Sequence, residues 1–312
     1  MMNDRPIVLV TGASGFVGRH LSPILESNGW TVRAAVRRSS GLNEVMVDSI
    51  GPNTNWQAAL ACVDAVVHLA ARVHHPNDRD AEQLYRDLNV DCTLQLARSA
   101  IVAGVKQFVF ASTALVYGRN NDGRPPFSEE EKLTPHNLYS RSKVEAEAGL
   151  KSLAQGHTMG VTVVRPPLVY GAGAKGNFAL LARAAKIGVP LPFAAIRNRR
   201  AFVSVQNLAS FIASRLSASS ERFDVFLVAD AEQVSTPEFF TRLAKAAGRK
   251  ARLLPVPEPL LGSLLTLNGR ADARQSLIGS LELDISKALS TGWRPPLTLD
   301  EGLRLALSAP QA

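Results

Sequence analysis

The segment Thr11-Gly12-Ala13-Ser14-Gly15-Phe16-Val17-Gly18 places glycines in the spacing G-x-x-G-x-x-G directly after the apolar run Ile7–Val10. That run is short and β-branched, as a fully buried parallel strand requires. An amphipathic helix starts near Phe16. A strand, a glycine loop and a helix in this order commit the chain to an open parallel sheet with a phosphate-binding turn. Gly12 permits the tight turn, Gly15 the close approach of backbone to a pyrophosphate, and Gly18 the packing of helix on strand. Free N–H groups at the helix start then meet the phosphate charge. Gly12, Ser14, Gly15, Phe16, Val17 and Gly18 are therefore dinucleotide-binding candidates. Glycines also mark ordinary turns, so the loop draws its weight from the strand before it.

Strand-like runs alternate with helical ones at 7–10, 31–36, 65–69, 107–111 and 161–165. This is the βαβ rhythm of a doubly wound sheet. The rhythm breaks after Gly171, and Phe223–Val228 is strand-like again. The expected fold is α/β: a doubly wound parallel Rossmann sheet with a smaller C-terminal substrate-binding lobe. The expected domains are residues 1–170 plus about 202–229 for the nucleotide, and about 171–201 and 230–312 for the substrate. The 312 residues suffice for either one large unit or two lobes.

The end of the second strand, Trp30–Val36, speaks to the cofactor. A carboxylate there accepts from the adenosine ribose hydroxyls in NAD-binding proteins. This chain has Val36, followed by Arg37 and Arg38. A guanidinium suits a 2′-phosphate. NADP(H) is the preferred cofactor and NAD(H) the alternative; Arg33 is expected to face the other way. The competing reading of Arg37-Arg38 is a solvated basic turn.

Tyr139 and Lys143 stand at i and i+4, so on a helix they share a face. Ser140–Leu153 is rich in Ala, Glu, Lys and Leu, and Pro135 precedes it. A free phenol has a pKa near 10 and shuttles protons poorly at neutral pH. A neighbouring ammonium lowers that pKa. Lys143 is also expected to hydrogen-bond the nicotinamide ribose. The strand Phe108–Ala111 ends in Ser112 and Thr113, where ligands bind in a parallel sheet. Such hydroxyls can serve a substrate carbonyl or simply cap a turn.

These pieces, in this order, resemble an extended short-chain dehydrogenase/reductase of the nucleotide-sugar epimerase/dehydratase family. The matching segments are the glycine loop, His68-Leu69-Ala70-Ala71, Asn89, Ser112-Thr113, Tyr139/Lys143, Arg165–Gly171 and Arg200–Leu208. The resemblance implies that Thr113 assists Tyr139, with Ser112 its catalytic neighbour. It implies that Leu69, Ala70, Ala71 and Asn89 line the cofactor site, that Asp48 lies near the adenine, and that Pro166 and Leu168 border the nicotinamide. Asn177 and Phe178 resemble residues holding a sugar nucleotide's diphosphate, Phe193 one near uracil, and Arg200 the diphosphate arginine. Phe193 could equally be core, and Arg200 a surface charge. The family's sugar 4,6-dehydratases carry Asp-Glu after the strand-end Thr. Here Ala114 and Leu115 stand there and neither transfers a proton. Further likeness, at His68–His74, Pro190–Phe193 and Leu283–Lys287, is to a bacterial surface-polysaccharide subgroup. It includes reductases of UDP-4-keto-6-deoxy-N-acetylglucosamine and proteins labelled UDP-glucose 4-epimerases.

The expectation is an NADPH-dependent reductase acting at C4 of a UDP-sugar. The enzyme alternative is a UDP-hexose 4-epimerase that keeps NAD bound. The non-enzyme alternative is an NADP-sensing binding module, a class that can dispense with the tyrosine–lysine pair. The resemblance also implies a homodimer, paired through helices around Leu84–Ala103 and Ser140–Leu153. The net charge of +8 raises the question of nucleic acid. The basic residues are scattered except at Arg37-Arg38 and Arg197-Arg199-Arg200, so anionic small molecules explain them at least as well. No nucleic-acid partner and no metal are expected; His74-His75 lacks a supporting ligand pattern. Cys62 and Cys92 give no disulfide framework and are expected to pack as small apolar residues. No signal peptide or membrane span is visible, and Leu260–Leu267 reads as a buried or partner-facing helix, so a cytoplasmic location is expected.

Overall fold

The structure, a computed structural model, describes residues 5–37, 41, 44–47, 50–73, 78–218, 222–267 and 277–308. Its elements run β1 (Ile7–Thr11), α1 (Phe16–Ser27), β2 (Thr31–Val36), β3 (Glu44–Met46), α2 (Gln57–Leu60), β4 (Ala65–His68), α3 (Ala81–Arg86), α4 (Cys92–Val102), β5 (Gln107–Ala111), α5 (Leu138–Gln155) and β6 (Gly160–Arg165). Then come β7 (Leu168–Tyr170), α6 (Asn177–Ile187), β8 (Phe202–Ser204), α7 (Val205–Leu216), β9 (Phe223–Leu227), α8 (Thr236–Ala246) and α9 (Glu258–Leu267). The last two helices are α10 (Ser286–Ser290) and α11 (Leu299–Ser308).

Seven strands form one sheet in the order β3-β2-β1-β4-β5-β6-β9. The pairs β1–β2, β1–β4, β2–β3, β4–β5 and β5–β6 are all parallel. The order reverses beside β1, with β2 on one side and β4 on the other. Ligands of open α/β sheets bind at such a switch point, outside the strands' carboxyl ends. The α/β Rossmann expectation holds. Every residue of β4 and β6 is buried, as expected of strands covered on both faces. The strand β3 and the two-stranded sheet of β7 and β8 are additions that the sequence reading did not contain. Each is only three residues long, too short for a periodic signal.

The chain divides into two units: residues 1–116, 133–165 and 209–226, and residues 117–132, 166–208 and 227–312. The second unit starts at Pro166, where the sequence suggested about 171, because β7 pairs with β8 rather than joining the large sheet. It also takes residues 117–132. Backbone bonds tie them to its C-terminal part: Asn121 N to Ser280 O (3.0 Å), Phe127 N to Glu282 O (2.9 Å) and Asp284 N to Phe127 O (2.8 Å). Its core packs Phe239 on Phe202, ring centroids 4.0 Å apart. Buried Asp230 accepts from Ser204 N (3.0 Å), Asn207 Nδ2 (2.7 Å) and Tyr170 Oη (2.7 Å). Burial holds that carboxyl above its usual range despite these bonds. Among the described residues no helix is long and apolar enough to cross a membrane.

Candidate active site

Gly12 sits at φ +70°, and a Cβ there would lie 2.9 Å from Ala70 N. A Cβ on Gly18 would collide with Gly12 O and Ala13. The turn closes with a bond from Gly15 N to Gly12 O (2.9 Å). The result is a backbone cradle with no room for side chains, ahead of the first free N–H groups of α1. A dinucleotide pyrophosphate fits that donor set.

Thr11, the last residue of β1, begins a directed chain of bonds through the first unit. Its hydroxyl lies 2.6 Å from Nδ1 of His68, and Ala70 N donates to it (3.3 Å). On the other side of the ring, His68 Nε2 lies 2.9 Å from Thr93 Oγ1. Thr93 donates to Asn89 O (2.8 Å), so it must accept from Nε2–H, leaving Nδ1 to accept from Thr11. Burial, and then the charge of Lys143, pull the His68 pKa down to about 3. This imidazole is neutral with a fixed tautomer.

Residues Asp87–Asp91 form a π-helical turn between α3 and α4, within the stretch around Leu84–Ala103 that the resemblance implied to be helical. Single π turns are frequent at functional sites. This one carries Asn89, whose side chain is fully committed. Its Oδ1 accepts from Arg72 N (2.8 Å); its Nδ2 donates to Arg72 O (3.0 Å) and Ser142 Oγ (2.9 Å). Asn89 thus pins the loop after β4 to α5. Ser142 in turn donates to Tyr139 O (2.8 Å).

Helix α5 opens with a capping box. Asn137 accepts from Ser140 N (2.8 Å), and the Ser140 hydroxyl returns to the backbone of Asn137. Tyr139 lies in this anchored first turn, and Lys143 one turn on. Lys143 is buried, donates to Ala111 O (2.7 Å) and lies 4.3 Å from the Phe110 ring centroid. Its Nζ is 5.9 Å from the Tyr139 ring centroid. Burial brings Lys143 down to about 7, against the pull of Glu147. Tyr139 is half-buried by surface area, and its phenol is held above its usual range, first by burial and then by Tyr85. The expected lowering by Lys143 is not what this environment gives. Desolvation of the phenol outweighs an amine that burial itself discourages from charging.

The two strand-end hydroxyls differ. Ser112 donates to Glu147, which also takes a forked ion pair from Arg165; Nε lies 3.1 Å from Oε1 and 3.2 Å from Oε2. All three residues are buried. The hydroxyl assigned as catalytic at Ser112 is occupied in holding β5, α5 and β6 together. Among the described residues the Thr113 hydroxyl only accepts, from Leu115 N (3.2 Å), so its proton is available to another acceptor.

The cofactor and substrate candidates fall as follows. Leu69, Ala70 and Ala71 are half-buried after β4. Arg37 is exposed at the end of β2, while Arg33 donates to Ala59 O (3.0 Å) and Ala61 O (2.6 Å) and faces elsewhere, as expected. Arg38 and Asp48 lie outside the described residues. In the second unit, Pro166 is buried, Leu168 half-buried, and Asn177 exposed at the start of α6. The Phe178 side chain is core, 5.7 Å from the Tyr170 centroid, so only its backbone remains for a diphosphate. Phe193 packs with Ile196 and Leu261, edge-on to Phe240. Arg200 is buried and donates to Gly279 O (2.5 Å); burial lowers its pKa to about 10, so it keeps its charge. It is no surface charge. Cys92 is buried, with its thiol pushed up to about 12, but Cys62 is exposed at φ 57°, contrary to expectation.

The sequence reading gave no role to Thr11, Thr93, Ser142, Glu147 or Arg165. One signal was present: Glu147 follows Lys143 by four residues, so it lies on the same helix face.

Residues 8–229 match the NAD dependent epimerase/dehydratase family. A UDP-glucose 4-epimerase of Vibrio cholerae is 38% identical over 97% of this chain and 94% of its own. A GDP-6-deoxy-D-mannose reductase of Pseudomonas aeruginosa is 28% identical over 96% of each chain. The crystal structure of UDP-N-acetylglucosamine 4-epimerase from Bacillus cereus superposes with a TM-score of 0.80 at 20% identity, covering 96% of this chain and 97% of that one. The chain is an NAD(P)-dependent enzyme that belongs to the NAD dependent epimerase/dehydratase family.

Proposed function

We propose that this enzyme reduces C4 of a UDP-4-keto-6-deoxy-N-acetylhexosamine with NADPH, in the cytoplasm, for surface polysaccharide synthesis. The observation that carries the reductive direction is the end of β2. Val36 offers no acceptor to a ribose hydroxyl, and an exposed Arg37 follows it. Gly12, Ser14, Gly15, Phe16, Val17 and Gly18 would hold the pyrophosphate. When bound, the nicotinamide supplies the hydride. Tyr139 supplies the proton: its raised phenol is protonated at neutral pH and ready to give it to the C4 oxygen. Lys143, hydrogen-bonded to Ala111 O, stands by the phenolate that results and attracts its charge. Thr113 donates to the same C4 oxygen. Ser112 is a positioning residue, acting through Glu147. Asn177 and the buried cation of Arg200 would take the diphosphate, with Phe193 as an apolar wall. Ala114 and Leu115 leave no acid–base pair for water elimination.

The relative at 38% identity favours a second reading, 4-epimerisation of a UDP-hexose with NAD retained. The same tyrosine and threonine would serve it. For either reaction we propose a homodimer built on α3–α4 and α5.

The test is incubation with UDP-sugars and UDP-4-keto sugars, with and without NADPH, followed by product identification. Reduction of a 4-keto sugar with matching NADPH loss is expected. Interconversion of UDP-hexoses without added cofactor would replace this reading by the epimerase. Cofactor binding with no turnover of either sugar class would leave the cofactor-sensing module.

A further inference from the structure

Two features stay outside that chemistry: the net charge of +8 and the apolar run Leu260–Leu267. Both lead to one neighbourhood of the second unit. On α6, Leu180 and Ile187 are 65% and 60% exposed. They stand seven residues apart, hence on one side of the helix, with exposed Arg183 between them. Val189, also exposed, follows α6. Two residues on, Leu191 N donates to Arg252 O (2.9 Å) and Leu254 N to Leu191 O (2.8 Å). Ala194 N donates to Leu254 O (3.1 Å). Leu254 is 51% exposed. On α9, Leu260 is 54% exposed while Leu261 turns inward onto Phe193 and Ile196. Single exposed apolar residues are ordinary. Leu180 and Ile187 share one helix stripe that Val189 follows, the backbone ladder ties Leu254 to Leu191, and Leu260 adjoins Leu261, whose cluster also packs Leu191 and Leu253.

Glu258 and Glu238 apart, the charge of these segments is basic, and Glu238 pairs with Arg242 on its own helix. Arg183, Lys186, Arg197, Lys245, Arg249, Lys250 and Arg252 are all exposed. Residues 175–199 contain no acid, and 239–267 contain only Glu258, whose Oε1 accepts from Arg197 N (3.0 Å). Lys186 and Lys245 lie in the last turns of α6 and α8, where they offset the helix dipoles. That explains two cations and leaves the other five.

We propose that this surface seats the protein on an anionic lipid bilayer. Leu180, Ile187, Val189, Leu254 and Leu260 enter the boundary between headgroups and acyl chains, and the surrounding cations meet the lipid phosphates. Charge complementarity favours a polyanionic surface. The exposed side chains are aliphatic, which suits acyl chains. Single-stranded nucleic acid is instead met by aromatic stacking platforms, and protein hot spots centre on Trp, Tyr and Arg. Among the described residues no helix is long and apolar enough to cross a membrane, and the proposed seat uses surface residues alone.

The test is flotation of the full chain with vesicles of phosphatidylcholine alone, or of phosphatidylcholine mixed with phosphatidylglycerol. The protein should float with the mixed vesicles only. Ile187→Asp and Leu254→Asp should each weaken binding at least about fivefold, and R249E/K250E at least about tenfold. Met46→Asp changes net charge equally at an exposed apolar residue of the first unit, on β3 and outside the proposed dimer helices, and should weaken binding less than either. Thermal melts confirm that each variant is folded. The proposal is overturned by no flotation with anionic vesicles, by equal flotation with neutral ones, or by equal loss in Met46→Asp and Ile187→Asp. Retention in all variants, or complete displacement by duplex DNA, overturns it too.

Discussion

The Thr11 hydroxyl and Nδ1 of His68 lie 2.6 Å apart, and through this contact the strand that ends at the glycine loop is bonded onward to Tyr139. The path runs through Thr93, Asn89 and Ser142 and closes on Tyr139 O. Each member but Tyr139 is buried. Each bond has a direction set by its neighbour, so protonating His68 would turn Nδ1 into a donor and take away the acceptor of the Thr11 proton.

This fixes a pH dependence. Unfolded, His68 takes its proton near 6.5; folded, near 3. Between these values the unfolded chain binds more protons, so stability falls as pH drops through this window. The loss is on the order of a few kcal/mol. Urea titrations from neutral pH down to about 4 should show this slope in wild type and a shallower one in His68→Phe. Parallel slopes would remove His68 as the cause.

Glu147 and Arg165 form a buried ion pair that also holds Ser112. Taking one partner away strands the other charge in a dry interior. Arg165→Met should therefore cost about 3–5 kcal/mol. Replacing both, as R165M/E147M, should cost less than Arg165→Met alone, because no charge is left unpaired. Denaturant midpoints for the single and double variants measure this, and a double variant worse than the single would contradict it.

Much of this was legible in the sequence, for identifiable reasons. The glycine loop, the five long parallel strands and the Tyr139/Lys143 spacing are local patterns, and local patterns are what a sequence displays. The partner of Ser112 was not legible. Glu147 and Arg165 come from elements 35 and 18 residues away from their hydrogen-bonding partners. Only the folded sheet brings them together. The same holds for His68: the motif His68-Leu69-Ala70-Ala71 was visible, but its two threonine partners lie on β1 and α4. The Tyr139 environment ran against the sequence argument because burial acts on the lysine as well as on the tyrosine.

Tyr139→Phe should lower turnover at least about a hundredfold, the scale of lost general acid catalysis, with cofactor affinity retained. Ser112→Ala gives the contrast. Its hydroxyl serves Glu147, so it should lower the melting temperature more than it lowers kcat, whereas Thr113→Val should lower kcat. Steady-state kinetics beside thermal melts separate the two hydroxyls. A Ser112→Ala variant as slow as Thr113→Val, at unchanged stability, would return Ser112 to the catalytic group.

The choice of cofactor turns on Val36 and Arg37. Val36 ends β2 and cannot accept from a ribose hydroxyl, so the usual preference for NAD has no source there. Arg37 is exposed beside it and presents a planar, permanently charged fork. A charge-assisted hydrogen bond to a 2′-phosphate contributes roughly 1.5–3 kcal/mol. That corresponds to about ten- to a hundredfold in affinity. Wild type should bind NADPH more tightly than NADH by about this factor, and Arg37→Ala should bring the two together by weakening NADPH alone. Rising salt should narrow the gap as well, because the pair is exposed to solvent. Fluorescence titration of both cofactors into both proteins measures it. Equal affinities in wild type, or NAD carried through purification, would withdraw the reductive direction and favour the epimerase.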